Sequence, residues 1–353
     1  MKDLPRNTIL LGDVLERLRG LPSATIDCVI TSPPYFQLRD YGVTGQLGLE
    51  AHVDEWVTNQ RAVFRGVARV LKPSGSLWLN LGDSYSRHHK YGAPPKGQLL
   101  APERLVLALT ADGWLVRNKV IWAKPNPMPA SVGDRLNTTY EVVYFLVRSP
   151  RYFFDLDAVR EPHRSQGSRR GGSVVATRPA WAGPLAGTQS GLQRSRPDGL
   201  PGHWLGKNPG DVWTIPTAGY RGAHFATFPP ALVDKPLRAT CPEAICMACG
   251  QPWRRQVRLR QLGEKIADSR DRFVRRYPKR WETLRQVGEL APCGCGAPTR
   301  PGLVLDPFFG SGTVGVVAQR HLRDWLGIEL NPDYAALAWQ RLGRRPEREE
   351  RAA

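Results

Sequence analysis

The chain has 353 residues, 41% of them hydrophobic, and a formal net charge of +18. This length allows one large domain with insertions or two domains, and the composition allows a sizeable core. The excess of Lys and Arg indicates a polyanionic partner, most simply nucleic acid; the alternative is a basic enzyme whose charge only aids solubility. No signal pattern is visible, and no apolar run approaches the ~18 residues of a membrane span, which predicts no membrane partner and a cytoplasmic location.

Residues 1–155 alternate between strand and helix patterns. Strands are predicted at 8–11, 26–30, 76–81, 116–123 and 140–148, helices at 14–21, 56–71 and 102–111, and a turn at Lys72-Pro73-Ser74-Gly75. Strands that alternate with helices predict an α/β domain with a mostly parallel sheet. This first segment is expected to be the larger part of the catalytic domain.

The rest of the chain changes character several times. Residues 156–203 are rich in Arg, Gly, Ser and Pro, which predicts a mobile loop or a surface that a partner orders. Residues 204–240 regain order, with a turn and a strand at 208–213, and residues 241–300 form a Cys- and Arg-rich unit. Residues 301–343 return to a strand–helix pattern, and residues 344–353 are a charged tail.

The first chemical motif, Thr31-Ser32-Pro33-Pro34-Tyr35, directly follows the strand at 26–30. Ser32 can hydrogen-bond an amino group, the Pro33 carbonyl is a fixed acceptor because two prolines stiffen the loop, and Tyr35 offers a stacking face. These groups are suited to a flat base with an amino group; the alternative is an ordinary Pro-rich turn. Residues 38–42 either extend the same mouth or form a plain polar loop, and Cys28 is expected in the core rather than as a nucleophile.

The second motif, Asp306-Pro307-Phe308-Phe309-Gly310-Ser311-Gly312-Thr313, connects a predicted strand at 302–305 to a helix at 314–322. Its glycines allow a ligand to approach the backbone, and the helix beyond it offers unpaired N–H groups. The next strand, 325–328, ends in Glu329, which is placed to accept ribose hydroxyls. The string predicts a site for a nucleotide-like cofactor; the alternative is a tight strand–helix turn with a surface Glu. Asn331 and Pro332 have the pattern of N-cap and first residue of the last helix.

Together the two motifs resemble the amino-methylating DNA methyltransferases of the β arrangement, the N4-cytosine and N6-adenine methylases of phage or restriction–modification type. In that arrangement the catalytic motif precedes the cofactor motif, and the resemblance covers roughly residues 7–155, 204–235 and 301–343. It implies a Rossmann-like, S-adenosylmethionine-dependent methyltransferase with circularly rearranged motif order, acting on a flipped base of double-stranded DNA. The catalytic residues that it implies are Ser32, Pro33, Pro34 and Tyr35, and the cofactor-binding residues are Asp13, Phe225, Phe228, Asp306, Phe308, Gly310, Ser311, Gly312, Thr313 and Glu329.

The acceptor base is the open point of this resemblance. Relatives that methylate adenine N6 mostly carry Asp where Ser32 stands, whereas those that methylate cytosine N4 mostly carry Ser, so cytosine N4 is favoured and adenine N6 is the alternative. A non-catalytic, zinc-containing DNA-binding protein on a methyltransferase scaffold is the rival of another class, and methylation of RNA or of a protein glutamine is a third. Residues 156–203 are expected to recognise the target sequence, and a cognate restriction endonuclease is a candidate partner; the oligomeric state stays open.

Five of the six cysteines fall between Cys241 and Cys295, in a chain where disulfides are not expected. Cys246 and Cys249 form one close pair, and Cys293 and Cys295 form a second. Two such knuckles are suited to a tetrahedral structural zinc, with Cys241 as a spare or replacement ligand; free buried thiols are the alternative. The basic run 254–280 between the pairs is predicted to be helical and to contact the DNA backbone.

Overall fold

A mixed sheet of eight strands is the centre of the fold. The computed structural model describes residues 4–162, 206–217, 228–262 and 282–343. Its helices are α1 (Val14–Gly20), α2 (Val53–Val70), α3 (Ala101–Ala111), α4 (Pro230–Thr240), α5 (Thr313–Arg320) and α6 (Pro332–Arg341), with a 3₁₀ turn at His89–Tyr91. Its strands are β1 (Thr8–Leu11), β2 (Ile26–Thr31), β3 (Leu71–Leu81), β4 (Leu115–Ala123), β5 (Tyr140–Val147), β6 (Val212–Thr214), β7 (Ile245–Cys246), β8 (Arg254–Leu262), β9 (Glu282–Ala291), β10 (Thr299–Arg300), β11 (Leu303–Asp306) and β12 (Asp324–Glu329).

The chain divides into two compact units. The first comprises residues 1–155, 210–253 and 293–353, and it contains the large sheet, the six helices and the small ladder β7–β10. The second comprises residues 156–209 and 254–292, and its described part contains the antiparallel hairpin β8–β9.

The strand order of the large sheet is β1-β12-β11-β2-β3-β5-β4-β6. Five neighbouring pairs are parallel, and the two pairs that involve β5 are antiparallel. The sheet is therefore mixed, with a parallel half from β1 to β3. Within this half, β11 pairs with β2 although the two strands lie near opposite ends of the chain.

Both faces of the sheet are covered. One hydrophobic cluster contains side chains of α1, α2 and α3, including Trp56 and Phe64, and the other contains side chains of α4, α5 and α6, including Val233 and Val314. β2 is buried along its whole length, as expected for a central strand with helices on both sides. Its carboxyl end is thereby held rigidly where Thr31-Ser32-Pro33-Pro34-Tyr35 begins.

Two expectations from the sequence are wrong. Residues 72–75 belong to β3 rather than to a separate turn: β3 begins at Leu71, where α2 ends, and 72–75 bulge from the ladder, since Leu71 pairs with Ile26 and Ser76 with Cys28. Lys72 forms an ion pair with Asp27 there. The basic run is not helical over Arg254–Leu262, which is strand β8 paired with β9. Its polar and apolar residues alternate from Gln256 to Arg260 with a period of two, a strand signal. Residues 263–280 of that run lie outside the described part.

Candidate active site

Both sequence motifs reach one cavity. The motif that begins at Thr31 follows β2 and the motif that begins at Asp306 ends β11, and these parallel neighbours have their carboxyl ends on the same side of the sheet. The predicted site residues that line the cavity are Asp13, Ser32, Pro34, Phe228, Phe308, Gly310, Ser311, Thr313 and Glu329. Crevices at the carboxyl ends of parallel strands are the usual ligand sites of open α/β sheets.

The other predicted residues lie beside this lining or outside the described part. Pro33 is buried, and Tyr35 lies directly behind Ser32, to which it is hydrogen-bonded. Asp306 and Gly312 belong to the loop that carries Phe308 and Gly310. Phe225 lies outside the described residues.

Ser32 is held by a polar cluster that the sequence reasoning missed. Its Oγ lies 3.0 Å from Tyr35 Oη, and Tyr35 donates to Glu141 Oε2 at 2.8 Å. Asn80 Nδ2 lies 2.8 Å from Tyr35 Oη and 2.9 Å from Glu141 Oε2, and Lys124 forms an ion pair with Glu141 Oε1. Burial, followed by the negative charge of Glu141, raises the pKa of Tyr35 well above its usual value, so its hydroxyl keeps its proton.

A signal for part of this cluster was present in the sequence. Asn80 is a polar residue in the otherwise apolar end of β3, where it is 5% exposed. Glu141 is the second residue of β5, and because β5 runs antiparallel to β3, its beginning lies beside the end of β3. The antiparallel direction of β5 was not predicted, so no sequence pattern indicated that Glu141 lies near Ser32.

The Pro-Pro segment is fixed by α2. The carbonyl oxygen of Pro34 accepts a hydrogen bond from Trp56 Nε1 at 3.0 Å, and Trp56 is almost completely buried. The loop that presents Ser32 is therefore anchored to the hydrophobic core on one side and to the Tyr35 cluster on the other. Such anchoring pre-orders a binding loop, which reduces the entropy lost when a ligand binds.

Asp306 connects the two motifs. Thr31 Oγ1 donates to Asp306 Oδ1 at 2.7 Å, and the backbone N–H of Phe308 donates to the same oxygen. Asp306 Oδ2 is buried and has no hydrogen-bond partner among the described residues. Burial raises the pKa of Asp306 from 3.8 to about 8. A cation that reached Oδ2 would favour the ionised carboxylate.

Glu329 shapes the loop from the adjacent strand. Its Oε2 accepts from the backbone N–H of Gly310 at 2.7 Å, and its Oε1 accepts from the N–H of Asn331 at 2.8 Å. Burial raises the pKa of this carboxyl. Each oxygen keeps a lone pair after these bonds, which can accept a ligand hydroxyl. Asn331 caps α6 with its side chain, and Pro332 is the first residue of that helix.

The sequence did not predict that an arginine side chain, Arg341, would hold the glycine loop. Arg341 Nη1 donates to Ser311 Oγ and to Thr313 Oγ1, both at 2.9 Å, and to the Ser311 carbonyl at 3.2 Å. Both hydroxyl residues are buried. Arg341 is the last residue of α6, so the loop is held by a helix that follows it in sequence.

The two phenylalanines of the motif have different tasks. Both line the cavity, but Phe308 is partly exposed, whereas Phe309 is buried and stacks on Trp325 with ring centroids 5.2 Å apart. A Cβ at Gly327 would come within 2.4 Å of the Phe309 ring. The glycine therefore makes room for Phe309, which anchors the loop to β12 while Phe308 remains available to a ligand.

The remaining walls come from α1 and from two loops. Asp13 lines the cavity and also caps α1, accepting from the N–H of Glu16 at 3.0 Å. Tyr41, in the segment predicted to extend the mouth, lines the cavity and packs edge-on against Tyr334, with centroids 6.3 Å apart. Tyr334 is a lining residue that the sequence reasoning did not select.

The four cysteines of the two close pairs meet in space. The Sγ atoms of Cys246, Cys249, Cys293 and Cys295 all lie within 4.8 Å of one another. Four sulfurs bound at about 2.3 Å to one tetrahedral ion would be about 3.8 Å apart, so a small adjustment would suffice. The N–H of Cys295 and the neighbouring thiols lower the pKa of Cys293 to about 6.

Cys241 and Cys28 do not belong to this group. Both are buried in the core, and burial raises the pKa of Cys28 to about 12 and that of Cys241 well above its usual value. Cys28 Sγ lies 3.3 Å from Thr240 Oγ1. Cys28 therefore lies in the core as predicted, and Cys241 is not one of the four clustered thiols.

The cavity fits the cofactor that the resemblance implies. S-adenosylmethionine carries two cationic centres, a ribose and a flat adenine. Asp306 Oδ2 is a buried carboxyl oxygen without a partner among the described residues, and this carboxyl can ionise there only if a cation reaches it. Glu329 can accept ribose hydroxyls, and Phe308 offers apolar surface to a flat ring.

Comparisons with known proteins identify the family. A family model described as DNA methylase matches residues 26–247 and 299–340. The type II methyltransferase M.XycI of Xanthomonas campestris pv. cyanopsidis is 33% identical over 358 residues, covering 95% of this chain and 87% of that protein. M.SmaI of Serratia marcescens is 33% identical over 359 residues, covering 96% and 91%.

Solved structures share the fold. The PvuII DNA methyltransferase (cytosine-N4-specific) superposes with a TM-score of 0.55 at 18% identity, covering 95% of this chain and 86% of that one. TTHA0409 of Thermus thermophilus, complexed with S-adenosyl-L-methionine, superposes with a TM-score of 0.50 at 20% identity, covering 95% and 93%.

The fold and the family model define a DNA-modifying methyltransferase. The chain belongs to the DNA methylase family of N6 and N4 methyltransferases. This confirms the resemblance to an amino-methylating DNA methyltransferase of restriction–modification type. None of the helices in the described ranges is long and apolar enough to cross a membrane.

Proposed function

We propose that this chain methylates the exocyclic N4 amine of a flipped cytosine in double-stranded DNA, with S-adenosylmethionine as the donor. The observation that carries the proposal is that Ser32 and the glycine loop from Phe308 to Thr313 line one cavity. A base held at Ser32 and a cofactor held at the loop would therefore meet directly. The formal charge of +18 is suited to a DNA substrate.

Different residues of the cavity are expected to contact different parts of the cofactor. The cofactor, when bound, supplies a methyl group on a positively charged sulfur. Asp306 is expected to face its cationic end, Glu329 its ribose, and Asp13 the region of its adenine. Phe308 and Phe228 offer apolar surface that excludes water. Orientation and electrostatics then provide most of the rate, because no covalent enzyme intermediate is needed.

Ser32 supports cytosine N4 as the acceptor. In the family resemblance, relatives that methylate cytosine N4 mostly carry Ser at this position, and relatives that methylate adenine N6 mostly carry Asp. The PvuII methyltransferase, which is named as cytosine-N4-specific, shares the fold. The family model spans both chemistries, so adenine N6 is the alternative that the experiment must separate.

Nucleoside mass spectrometry tests the proposal. The full chain is incubated with unmethylated bacterial DNA and cofactor carrying a deuterated methyl group, and the DNA is then digested to nucleosides. Labelled N4-methylcytosine is expected, and a Ser32→Ala variant should form much less of it. Labelled N6-methyladenine alone would overturn the base assignment, and no label in DNA from protein that binds the cofactor would overturn the activity.

We further propose that the four clustered cysteines hold a structural zinc ion. The support is their number, their two short spacings and the proximity of their sulfurs. The hairpin β8–β9 is connected to these two pairs through Trp253 and Pro292, so the metal would close the base of that insertion in the chain. The chemistry proposed above needs no metal, which makes the role structural.

The middle of the chain is proposed to read the target sequence. In the β arrangement the catalytic motif comes first and the cofactor motif last, and the material between them carries recognition. Here residues 156–203 and the insert at 241–300 occupy that interval, and both are rich in Arg. Arginine is suited to phosphates and to guanine edges.

A further inference from the structure

The partly buried cluster of side chains behind Ser32 fixes which group donates and which accepts in each of its hydrogen bonds. Among the described residues, Glu141 contacts a cation, Lys124, through its Oε1 and two neutral groups, Tyr35 and Asn80, through its Oε2. An ionised carboxylate can only accept hydrogen bonds. Tyr35 therefore donates its single proton to Glu141 Oε2 at 2.8 Å.

This assignment determines the role of Ser32. Tyr35 has no second proton, so in the contact of 3.0 Å between the two hydroxyls Tyr35 Oη must accept and Ser32 Oγ must donate. The Asn80 amide agrees with this direction, because its Nδ2 has to face the acceptor Glu141 at 2.9 Å. The same nitrogen lies 3.3 Å from Ser32 Oγ. The proton of Ser32 consequently points into the protein, and because Asn80 Nδ2 donates to one lone pair of its oxygen, the second lone pair remains for the cavity.

Methylation of an exocyclic amine requires that Ser32 accepts a hydrogen bond from the amine and does not donate one to it. An exocyclic amine presents N–H donors to the enzyme. The nitrogen lone pair forms the new bond to the methyl carbon while the carbon–sulfur bond breaks, with its electron pair returning to sulfur; the nitrogen then releases one proton to water. A serine hydroxyl that donated to this nitrogen would occupy the lone pair that must react. A serine that only accepts leaves the lone pair free.

We propose that Glu141 is a positioning residue that forces Ser32, through Tyr35, to act only as a hydrogen-bond acceptor towards the substrate amine. The inference rests on the methyl transfer proposed above and adds a residue that is far from either motif in sequence, although it contacts Tyr35 in space. Lys124 and Asn80 support it by holding the carboxylate in place. The cluster thus gives a neutral serine the acceptor-only character of a carboxylate.

The first test replaces Glu141 by Gln. Lys124 only donates, so it would hold the amide oxygen of the new side chain, and the amide nitrogen would face Tyr35. Tyr35 would then accept from residue 141 and donate to Ser32, whose own proton would turn towards the cavity. We expect kcat for DNA to fall on the order of 10- to 100-fold, with the affinity for S-adenosylmethionine unchanged.

The second test is a double-mutant cycle with Ser32→Asp. In the natural background an aspartate would compete with Glu141 for the one proton of Tyr35, so Ser32→Asp alone should lower kcat. In the Glu141→Gln background Tyr35 is free to donate to the aspartate, so the same substitution should raise kcat by several fold. A structural role for Glu141 predicts no such reversal of sign.

A matched control is Glu103, a residue of α3 whose partners lie in β4 and β5. Glu103 also accepts from a lysine and a tyrosine, Lys119 at 2.6 Å and Tyr144 at 3.1 Å, and it does not line the cavity. Glu103→Gln should leave kcat within about twofold. Equal kcat in the natural protein and Glu141→Gln, or a double variant no better than Glu141→Gln, would overturn the inference. Absence of methyl transfer by the natural protein would instead overturn the proposed function.

Discussion

Thr31 donates a hydrogen bond of 2.7 Å to Asp306, a residue 275 positions further along the chain. The bond joins the first residue of the Thr31–Tyr35 motif to the first residue of the Asp306–Thr313 motif. It is buried, and it lies at the carboxyl ends of the paired strands β2 and β11. A change on either side should therefore affect both halves of the site.

Asp306 should make cofactor binding depend on pH. Because burial raises its pKa to about 8, the free protein holds a proton there that S-adenosylmethionine, as a cation, would displace. We expect the affinity to rise between about pH 6 and pH 8, by at most about tenfold per pH unit. The Asp306→Asn variant should bind S-adenosylmethionine weakly and without this pH dependence. Calorimetric titrations of both proteins across that pH range would measure the difference.

The same carboxyl has a predictable effect on stability. Its folded pKa lies above the usual 3.8, so the folded protein binds the extra proton and the unfolded chain does not. The cofactor-free protein should therefore lose stability as pH rises from about 4 to 8, and Asp306→Asn should reduce that loss. Denaturant unfolding at several pH values measures the difference; identical pH profiles for the two proteins would contradict the assignment.

Arg341→Ala should loosen the glycine loop. The substitution leaves the buried hydroxyls of Ser311 and Thr313 without their common donor, which costs about 1–3 kcal/mol. We expect a lower unfolding midpoint and weaker cofactor binding. The control is Arg320→Ala, at an exposed arginine near the end of α5. Equal cofactor affinity in the Arg341 and Arg320 variants would show that the contact does not support the loop.

Gly82→Ala should damage catalysis while it preserves cofactor binding. A Cβ at this position would lie 2.7 Å from Tyr35 Cε2, so the ring must move and its hydroxyl must leave Ser32 and Glu141. We expect kcat to fall on the order of tenfold or more. Gly20→Ala is the control, because a Cβ there meets nothing within 4 Å. Steady-state methylation and cofactor titration of both variants separate the two effects.

The proposed zinc ion predicts a metal content of about one per chain, measured by mass spectrometry of the purified protein. Cys249→Ser combined with Cys295→Ser should abolish it and lower the unfolding midpoint. Cys241→Ala should retain the metal, because Cys241 lies in the core and not in the cluster. Full zinc occupancy in the double serine variant would refute the four-cysteine site.

The sequence alone predicted the site residues that belong to the two short motifs. Ser32 and Phe308 each follow an apolar strand, and a motif that directly follows a strand has its position set by neighbours in sequence. The N-cap at Asn331 was also readable, because capping depends on neighbours in sequence. These elements could be placed before the fold was known.

The residues that contact these motifs from other elements could not be predicted from the sequence. Glu141 reaches Tyr35 only because β5 runs antiparallel beside β3, and Arg341 reaches Ser311 only because α6 packs back on the loop. Both contacts depend on sheet order and helix packing, which no local pattern encodes. The helix predicted for the basic run is wrong for another reason. The abundance of Arg does not distinguish a helix from a strand, whereas the alternation of Val257 and Leu259 with polar residues favours the strand that forms, β8.

The position of β11 and β12 in the sheet has a consequence for synthesis of the protein. β1 pairs only with β12 among the described strands, and β2 lacks one neighbour until β11 is added. A growing chain on the ribosome therefore carries the Ser32 loop long before the sheet around it can close. We therefore expect the nascent chain to be inactive, and to expose apolar strand surface that favours aggregation, until these two late strands have emerged.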